Sequence, residues 1–587
     1  MAIIYVRKTG NDTTGDGSTG NPYLTINRAL NGAAPKFASG DTLIVGIGAY
    51  TENSGSGYLN IPTYTSLTTI ESETGAPADV TISGTTGTVN ISVVGQYNKF
   101  LNVSLLGSAG AFALYLRGNY TQVEHCILTG TNNRCLELVP QSSGMHDISI
   151  TDCVLSSVGA WALIYSANGI SGYKASSVTF TRCTGISATD NYVVQLGNGN
   201  NADLVGWTFT DCKFAGATST YRAFYVNGGT DVTLINTAVS NSAGEGTYAN
   251  KCAGFYVIGG SYSAYSAHGL SIGSDTPSTD IVTGLMQYVT VTCTLGHGLL
   301  VGYGATSFAV SNSHMTGGDY GLVIKHCTGT VATYNTINGG RLSGIYFKAA
   351  VSPIVERNII SSSAAGVAIM MLQGNAGIKC ENVTLTHNLI IANGTAGVFN
   401  WGGDADDLGG GVVDYNTYIV AGTDGFGTVR SSSGITDLGG LQAAWVGYTN
   451  PTNDTHSSVS YSTYYRYRFS FGYLKDTIAT SPADAPLVTV VNLDTDDALV
   501  AGAPVVASAN MPGAYFYDYY SPIPGLYLRG MLHTEDSTVD AQDLYSRGDE
   551  TGESIRAALG VEIANLDDQL ATLRAAIDDI SALIFAR

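Results

Sequence analysis

Basic and aromatic side chains that could bind sugars recur at one position of a repeated strand-like phrase. Two of these phrases begin at Gly321 and Gly344, and the fourth residue after each glycine is a lysine, Lys325 or Lys348. If the phrases stack as neighbouring strands, the two ammonium groups lie about 5 Å apart, lower each other's pKa and attract an anion. The same count gives Gly302, Met370 and Trp401 in other phrases. The candidates for a glycan groove are Lys325, His326, Arg341, Tyr346, Lys348 and Trp401.

Carboxylates that could cleave a glycan follow shortly after Trp401. Asp404, Asp406 and Asp407 lie in a Gly-rich segment, and paired carboxylates about 5–10 Å apart can act as acid and base in glycoside hydrolysis. Lys348 could instead be the base of a lyase. Three interpretations stay open: a solvated outer face, sugar binding without chemistry, and catalysis. The first is favoured over the second, and the second over the third.

No cofactor or metal is expected from the motifs. The aspartates at 404, 406 and 407 could hold calcium, but their spacing lacks the EF-hand pattern. The sequence contains no phosphate loop, HExxH motif or Ser-His-Asp arrangement. The nine cysteines are too widely spaced for a metal cluster.

The composition is that of a β-rich protein with many turns. Glycine occurs 73 times, charged residues reach only 12%, and 44% of residues are hydrophobic, which argues against general disorder. The formal net charge of −20 disfavours nucleic acid as a partner, because phosphate binding needs clustered Lys and Arg. It also disfavours a strongly anionic polysaccharide unless a local basic patch overrides the average.

A short internal repeat determines the expected fold. An apolar-polar alternation leads to a Cys or Asn, and these marked positions are separated by 27, 30 and 29 residues and later by 23, 30 and 28. They are Cys126, Cys153, Cys183, Cys212, Asn335, Asn358, Asn388 and Asn416. Val103, Asn236 and Cys293 fit the same position less cleanly.

Two or three short strands in every ~20–30 residues, joined by Gly, Ser and Asn turns, describe the coils of a parallel β-helix. The marked residues then lie directly above one another. The cysteines form a buried column of small apolar side chains, and the asparagines continue it as an amide ladder whose members satisfy each other's donors and acceptors.

The N-terminal segments resemble the opening of pectin-lyase-like right-handed β-helix proteins. The similar segments are residues 5–12, 15–26 and 40–52, and the resemblance extends over roughly residues 3 to 430. It implies an all-β, right-handed parallel β-helix, in a superfamily that includes lyases, hydrolases, adhesins and phage spikes. Between the similar segments, Leu24 to Ala33 predicts a short amphipathic helix that caps the open end of the core.

The C-terminal third predicts different elements. Residues 433–535 read as an irregular, aromatic-rich β region with a short helix and a loop within 437–460, and residues 536–552 read as a linker. Residues 553–587 predict a coiled-coil helix that drives trimerisation or tetramerisation, the alternative being a helix packed on its own rod. The seam residues are Leu559, Ile563, Leu566, Leu570, Leu573, Ile577, Ile580 and Ile584.

The predicted organisation is therefore a cap and first coil in residues 1–52, a parallel β-helix in 53–432, and the three C-terminal segments. Residues 555–570 also resemble a segment near the ends of phage tail-associated proteins. With no signal peptide or membrane span expected, the favoured function is a trimeric phage tail fibre or spike, assembled in the host cytoplasm into the virion. Its expected partners are two further copies, other virion proteins and host cell-surface polysaccharide. A phage polysaccharide depolymerase on the same scaffold and a bacterial adhesin or lyase are the alternatives.

Overall fold

The structure is a computed structural model of the chain. It describes residues 1–547 except 33–36, 54–57, 86–90, 108–111, 132–133, 141–143, 158–161, 167–173, 188–190, 198–203, 217–219, 279, 364, 373–379, 394–396, 403–410, 421–424, 430–431, 436, 446–453, 461–464, 473, 476–477, 480–486, 493–496, 505, 508–513, 522–526 and 534–538. From residue 460 onward only the backbone is described.

Most of the chain winds as a right-handed parallel β-helix with three short strands per coil, which confirms the predicted fold class. The first sheet contains Ile3–Val6, Thr42–Val45, Thr68–Ser72, Asn98–Leu101, Gln122–Glu124, Met145–Thr151, Ala175–Thr181, Leu204–Thr210, Thr283–Gln287, Ala309–Ser311, Val331–Thr333, Ile354–Glu356, Thr384–Thr386 and Val412–Asp414.

The second sheet has 16 parallel strands within the described part of the chain. They are Gly48–Glu52, Val80–Gly84, Ser104–Leu106, Ile127–Gly130, Val154–Ser157, Thr184–Ser187, Lys213–Gly216, Ala238–Asn241, Ser261–Ala264, Thr290–Cys293, His314–Gly317, Thr336–Gly339, Ile359–Ser362, Leu389–Ala392, Thr417–Val420 and Ser458–Ser460.

The third sheet contains Leu59–Ile61, Ile91–Val93, Leu114–Leu116, Leu136–Leu138, Ile164–Ser166, Val194–Leu196, His268–Ile272, His297–Val301, Tyr320–Lys325, Ser343–Lys348, Val367–Leu372, Phe399–Gly402 and Gly427–Val429. Two 12-residue strands, Phe224–Ile235 and Thr247–Ile258, run through the third and first sheets and join them. Alternate side chains of all three sheets point inwards and form one continuous apolar core.

The turn from the first to the second sheet is tight and repeats in nearly every coil. One residue of this turn has a φ between +47 and +57, in the left-handed region that costs a non-glycine residue about 1–2 kcal/mol. These residues are Asn102, His125, Asp152, Arg182, Asp211, Asn236, Tyr288, Asn312, Tyr334, Arg357, His387 and Tyr415. The residue that follows each of them points into the core.

The predicted asparagine ladder occupies these inward positions. Asn335 Nδ2 donates to Asn358 Oδ1 at 3.0 Å, Asn358 Nδ2 to Asn388 Oδ1 at 3.1 Å, and Asn388 Nδ2 to Asn416 Oδ1 at 3.1 Å. Each side-chain oxygen also accepts a backbone N–H from the coil before it, for example Asn358 N at 2.9 Å from Asn388 Oδ1. The ladder therefore ties every tight turn to the next one.

The column continues upstream through the four predicted cysteines, which are buried and unbridged. Two of the less clean assignments are wrong. Asn236 occupies the exposed turn position, and Thr237 points inwards instead. Val289 rather than Cys293 is the inward residue of its coil, since Cys293 ends the following strand.

A helix, Ile26–Asn31, lies within the segment predicted to form one. Thr25 Oγ1 accepts from Arg28 N at 3.1 Å, and the Glu52 carboxylate accepts from the N–H groups of Ile26 and Asn27 at 3.0 and 2.8 Å. These contacts satisfy donors that a helix N-terminus leaves free. That the helix caps the end of the core stays a prediction. A single 3₁₀ turn, Pro77–Asp79, is the next helical element.

Parallel stacking extends beyond residue 432. Ser458–Ser460 pairs with Thr417–Val420, and the buried Tyr418 hydroxyl donates to Asp454 Oδ1 at 2.7 Å. The third sheet ends where Gly427–Val429 pairs antiparallel with Ser432–Ile435. A helix, Leu438–Trp445, lies in the predicted helix-and-loop segment.

The remaining strands are antiparallel. They are Tyr465–Gly472, Leu474–Lys475, Ile478–Ala479, Leu487–Asn492, Asp497–Pro504, Val506–Ala507, Ala514–Ser521, Tyr527–His533 and Val539–Arg547. The last strand pairs with Tyr527–His533 and replaces part of the predicted linker 536–552. The predicted coiled-coil segment 553–587, with its seam residues Leu559 to Ile584, lies outside the described residues. Among the described residues, no helix is long and apolar enough to cross a membrane.

Candidate functional site

The middle residues of the third-sheet strands point outwards and lie in register along the rod. This outward column reads Tyr115, Glu137, Tyr165, Gln195, Tyr225, Tyr248, Ser271, Leu300, Val323, Tyr346, Met370 and Asn400. Its five tyrosines, Tyr115, Tyr165, Tyr225, Tyr248 and Tyr346, are called the tyrosine strip. Because neighbouring coils are about 4.8 Å apart, the strip is a surface of fixed spacing.

Guanidinium groups lie over three rings of the tyrosine strip. Arg134 Cζ is 3.6 Å from the Tyr165 ring centroid, and Arg222 Cζ is 3.8 Å from that of Tyr248. Arg117 Cζ is 4.5 Å from the ring of Tyr115 in the same way. Such contacts contribute about 0.5–2 kcal/mol each and fix the side chains relative to the sheet.

A second column runs beside the tyrosine strip. Arg222, Glu245, His268, His297 and Tyr320 occupy it in five successive coils. Arg222 Nε donates to Glu245 Oε2 at 2.6 Å. The two imidazole rings are 4.8 Å apart, and His297 meets Tyr320 edge-on at 5.0 Å.

The chain that leaves the strand His268–Ile272 crosses the next two coils on the outside. Ser274 exchanges two backbone hydrogen bonds with Tyr303, of 3.0 and 2.7 Å. Asp275 then accepts from Lys325 Nζ through its Oδ1 at 2.6 Å and its carbonyl oxygen at 2.9 Å. In this region the outward residues Leu300 and Val323 are buried. The tyrosine strip is therefore interrupted by a covered section.

His268, His297, Asp275 and Lys325 form a compact group, here called the imidazole cluster. Burial lowers the pKa of His268 to about 3, and the neighbouring His297 adds to the effect. Burial also lowers the pKa of His297. Within the described part of the chain, neither Nδ1 has a hydrogen-bond partner. Both rings are neutral at neutral pH.

We expect the free energy of unfolding to fall as the pH drops from about 6.5 towards about 3. In this range His268 binds a proton in the unfolded chain but stays neutral in the folded chain. The groups that face His268 are His297, Asp275, Arg222 and Lys325. When the pH is lowered from about 7.5 to about 5, the midpoint of urea unfolding should fall less in the His268→Phe variant than in the parent chain. A control is His125→Phe, at a side chain that is 57% exposed. Equal declines in all three proteins would contradict the assignment.

The pKa values of two carboxyl groups, Asp275 of the imidazole cluster and the neighbouring Glu245, are shifted in opposite directions. Burial raises the pKa of Glu245, although Arg222 opposes the shift. Burial also opposes ionisation of Asp275, but the hydrogen bond and charge of Lys325 outweigh it and lower the pKa of Asp275. Of the two groups, Glu245 is therefore the carboxyl that takes up a proton at the higher pH.

Lys325 and Lys348 are register partners in neighbouring strands, as their spacing predicts. Asp275 neutralises Lys325, whose side chain is 18% exposed, whereas Lys348 forms no ion pair with any described residue. Attraction for an anion therefore rests on one ammonium group instead of two. Tyr346 stacks on Tyr320 at 4.9 Å, and burial, then Tyr320, raises the pKa of Tyr346 to about 12.

Two further predicted residues lie at the margin of this face. Arg341 donates to Asp319 Oδ1 through Nε at 3.0 Å and Nη2 at 2.9 Å, and its side chain is 72% exposed. His326 stacks on Tyr303 at 4.1 Å. Burial, followed by the charges of Lys325 and Lys348, lowers the pKa of His326.

The prediction that Trp401 offers a ring to a glycan is wrong. Trp401 is fully buried and pairs with Met371, on the inner side of the third sheet. Met370 also leaves the lysine column, because Lys348 pairs with Leu372. Asp404, Asp406 and Asp407 lie outside the described residues. Among those described, no group of three or more His, Cys, Asp or Glu could hold a metal ion.

The fold and the outer face can now be compared with known proteins. Residues 267–410 match a family described as "Right handed beta helix region". This stretch of the β-helix includes the imidazole cluster. None of the curated proteins matches the chain.

Several solved structures are similar to this β-helix at low identity. Tailspike protein 3 of bacteriophage CBA120 has 11% identity and a TM-score of 0.34, covering 93% of this chain and 70% of that one. The A-module of a mannuronan C-5 epimerase from Azotobacter vinelandii has 13% identity and a TM-score of 0.32, covering 71% and 91%. Pectin methylesterase from Aspergillus niger has 16% identity and a TM-score of 0.29, covering 49% and 89%.

Sequence reasoning missed the imidazole cluster and most of the tyrosine strip of the β-helix. A signal was present: the tripeptides that begin at His268, His297 and Tyr320 each continue with Gly-Leu, at intervals of 29 and 23 residues. These intervals match the coil repeat, so the three rings had to lie above one another. Asp275 carries no comparable pattern.

Proposed function

We propose that the chain is a trimeric virion appendage, a tail fibre or spike of a phage, whose β-helix presents a rigid surface to host glycans. The observation that carries the proposal is the tyrosine strip, in which outward phenol rings are held in register on the third sheet. Tyrosine combines an apolar ring face with a polar tip, which suits the apolar C–H faces and hydroxyl groups of sugars.

Charge favours a neutral glycan over an acidic one. The net charge of −20 repels polyanions at long range. Three cations near the strip are paired with carboxylates: Arg134 with Glu137, Arg222 with Glu245, and Lys325 with Asp275. A surface on which most charges are paired, and on which the rings other than the buried Tyr248 are partly exposed, binds through stacking and hydrogen bonds. We therefore expect affinity to depend only weakly on salt.

Glycan binding is tested with the full chain and a panel of purified bacterial surface polysaccharides, using biolayer interferometry. Tyr225→Ala, at a half-buried ring in the centre of the strip, is expected to weaken binding roughly 2- to 10-fold, because one stacking contact is lost. Tyr265→Ala is the matched control, since Tyr265 is 46% exposed outside the third sheet. Equal affinities of the two variants for every polysaccharide would remove the strip from the proposal.

Trimerisation is supported by the heptad pattern from Leu559 to Ile584. In light scattering the full chain is expected to have the mass of three chains, and a chain cut after residue 550 is expected to have the mass of one. A helix of this length is marginal alone in water, so association should depend on it. A monomeric full chain would exclude the trimer, and a trimer that survives the cut would move the interface onto the rod.

A glycan depolymerase is the second candidate, favoured by the opposite pKa shifts of Glu245 and Asp275. In this case the polysaccharide that binds is also shortened, with release of reducing ends. Glu245→Gln then abolishes release while binding persists. Binding without any release of reducing ends or unsaturated sugars would leave the appendage without this activity.

A further inference from the structure

A ladder of exposed and half-buried side chains follows the tight turns between the first and second sheets, away from the tyrosine strip. In six successive coils this turn ladder consists of Tyr288, Asn312, Tyr334, Arg357, His387 and Tyr415. The side chains leave the rod at left-handed turn residues, and Tyr288, Tyr334 and Tyr415 are 66, 43 and 46% exposed.

One part of this edge already holds a ring between two rings. Tyr415 lies parallel to His387, at 5.0 Å and 1°, and parallel to His456, at 4.5 Å and 5°. The edge therefore aligns flat rings across the rod axis at the spacing of the coils. A ring between two others fits here when its two neighbours are two coils apart.

Upstream, two tyrosines of the turn ladder flank a coil that carries a smaller side chain. Tyr288 and Tyr334 are two coils apart, about 9–10 Å, and the coil between them carries the shorter Asn312. The gap is a groove of about 480 Å³, here called the tyrosine slot. It is lined by Tyr288, Thr290, Asn312, His314, Tyr334 and Thr336.

We propose that the tyrosine slot binds one neutral pyranose ring of a glycan, held between the rings of Tyr288 and Tyr334. The separation allows a ligand ring to contact both phenols at about 3.5–4.0 Å on each face. Asn312, Thr290 and Thr336 offer donors and acceptors to hydroxyl groups, and the exposed side-chain amide of Asn312 makes no hydrogen bond within the described residues. No Lys, Arg, Asp or Glu lines the slot, which favours a neutral sugar over a charged one.

The slot is held open from behind by the inward column. Val289 N donates to Ser313 Oγ at 3.1 Å, and Ser313 N donates to Asn335 Oδ1 at 2.9 Å. These buried contacts fix the three turns that carry Tyr288, Asn312 and Tyr334. A slot whose walls are already in place loses little conformational entropy on binding.

Saturation-transfer NMR with the full chain tests the slot, with the methyl pyranosides of glucose, galactose, mannose and N-acetylglucosamine as probes. At least one of them should receive saturation. Tyr288→Ala and Tyr334→Ala should each weaken the affinity for that probe roughly 2- to 10-fold. Asn312→Tyr should remove at least as much of the signal as Tyr288→Ala, because it fills the gap with a third ring. Tyrosine is tolerated at this turn position, as Tyr288, Tyr334 and Tyr415 demonstrate.

Tyr415→Ala is the matched control, since it removes an exposed ring of the same ladder outside the slot, and it should leave the signal unchanged. No saturation of any probe, or a full signal in Asn312→Tyr, would overturn the proposal. So would a change of mass in light scattering for Asn312→Tyr, because the edge would then be a contact between copies.

Discussion

Replacing Asn388 with alanine is expected to lower the free energy of unfolding by about 2–5 kcal/mol, because buried hydrogen-bonding groups lose their partners. Asn388 Oδ1 accepts from Asn358 N at 2.9 Å, and its Nδ2 donates to the Val355 carbonyl at 2.9 Å and to Asn416 Oδ1 at 3.1 Å. No water can replace these partners without entering a closed core. The change is measured from the urea unfolding transition of the full chain.

Asn388→Ser should recover part of this loss, because serine already occupies the same position in two other coils. Ser457 Oγ accepts from Asn416 N at 2.9 Å, and Ser313 Oγ accepts from Val289 N at 3.1 Å. Asn338→Ala is the matched surface control, since Asn338 accepts one side-chain hydrogen bond from Ser361 and is half-buried. If Asn388→Ala and Asn338→Ala cost the same, the ladder does not stabilise the coils.

The ladder could be predicted because its residues repeat at the coil interval with one residue type. The register between coils is set by parallel pairing, so equal spacing from a strand means equal position in the rod. The fold could be predicted from this spacing rule alone. Asn335, Asn358, Asn388 and Asn416 therefore lie where the spacing places them.

The misplacement of Asn236 has a physical cause. Asparagine suits two adjacent positions in this turn: the inward one, where its amide joins the ladder, and the left-handed one, which it adopts more readily than most residues. At 236 the second preference decides, with a φ of +47. Thr237 then turns inwards, and its Oγ1 donates to the Phe209 carbonyl at 3.1 Å. The sequence alone does not distinguish the two positions.

The imidazole cluster could be predicted only in part. His268 and His297 repeat at the coil interval, so their stacking follows from the same spacing rule as the ladder. Asp275 reaches Lys325 across 50 residues because an irregular segment crosses two coils. Such a segment has no period, and its path depends on the surface that it covers.

The placement of Trp401 failed by a single residue. Counting from glycine assumes that the glycine has the same register position in every phrase. Ile345 and Phe399 occupy equivalent positions, because both pair with Ile369. Gly344 lies one residue before Ile345, whereas Gly397 lies two residues before Phe399. In a strand, a shift of one residue moves a side chain from the outer to the inner face. Trp401 thus belongs to the core.

Trp401→Ala is accordingly expected to lower the free energy of unfolding by about 3–5 kcal/mol and to leave glycan affinity per folded molecule unchanged. The indole is fully buried and packs near Phe399, with ring centroids 6.2 Å apart. Its removal leaves a cavity that stacked coils cannot close, since both neighbours are held by their own backbone pairing. Urea unfolding and polysaccharide binding are measured on the same preparation.

Tyr346→Ala is the paired experiment, because Tyr346 lies in the same sheet but points outwards and is half-buried. Tyr346→Ala should lower the free energy of unfolding less than Trp401→Ala does, and it should weaken glycan binding. The Trp401 variant should therefore mainly change stability, and the Tyr346 variant mainly binding. Trp401→Phe should fall between the parent chain and Trp401→Ala in stability, since part of the buried ring area is kept. A stable Trp401→Ala protein that no longer binds glycan would contradict the burial of Trp401 and would indicate that its ring contacts the glycan. That result would also break the register from which the lysine pair and the tyrosine strip are derived.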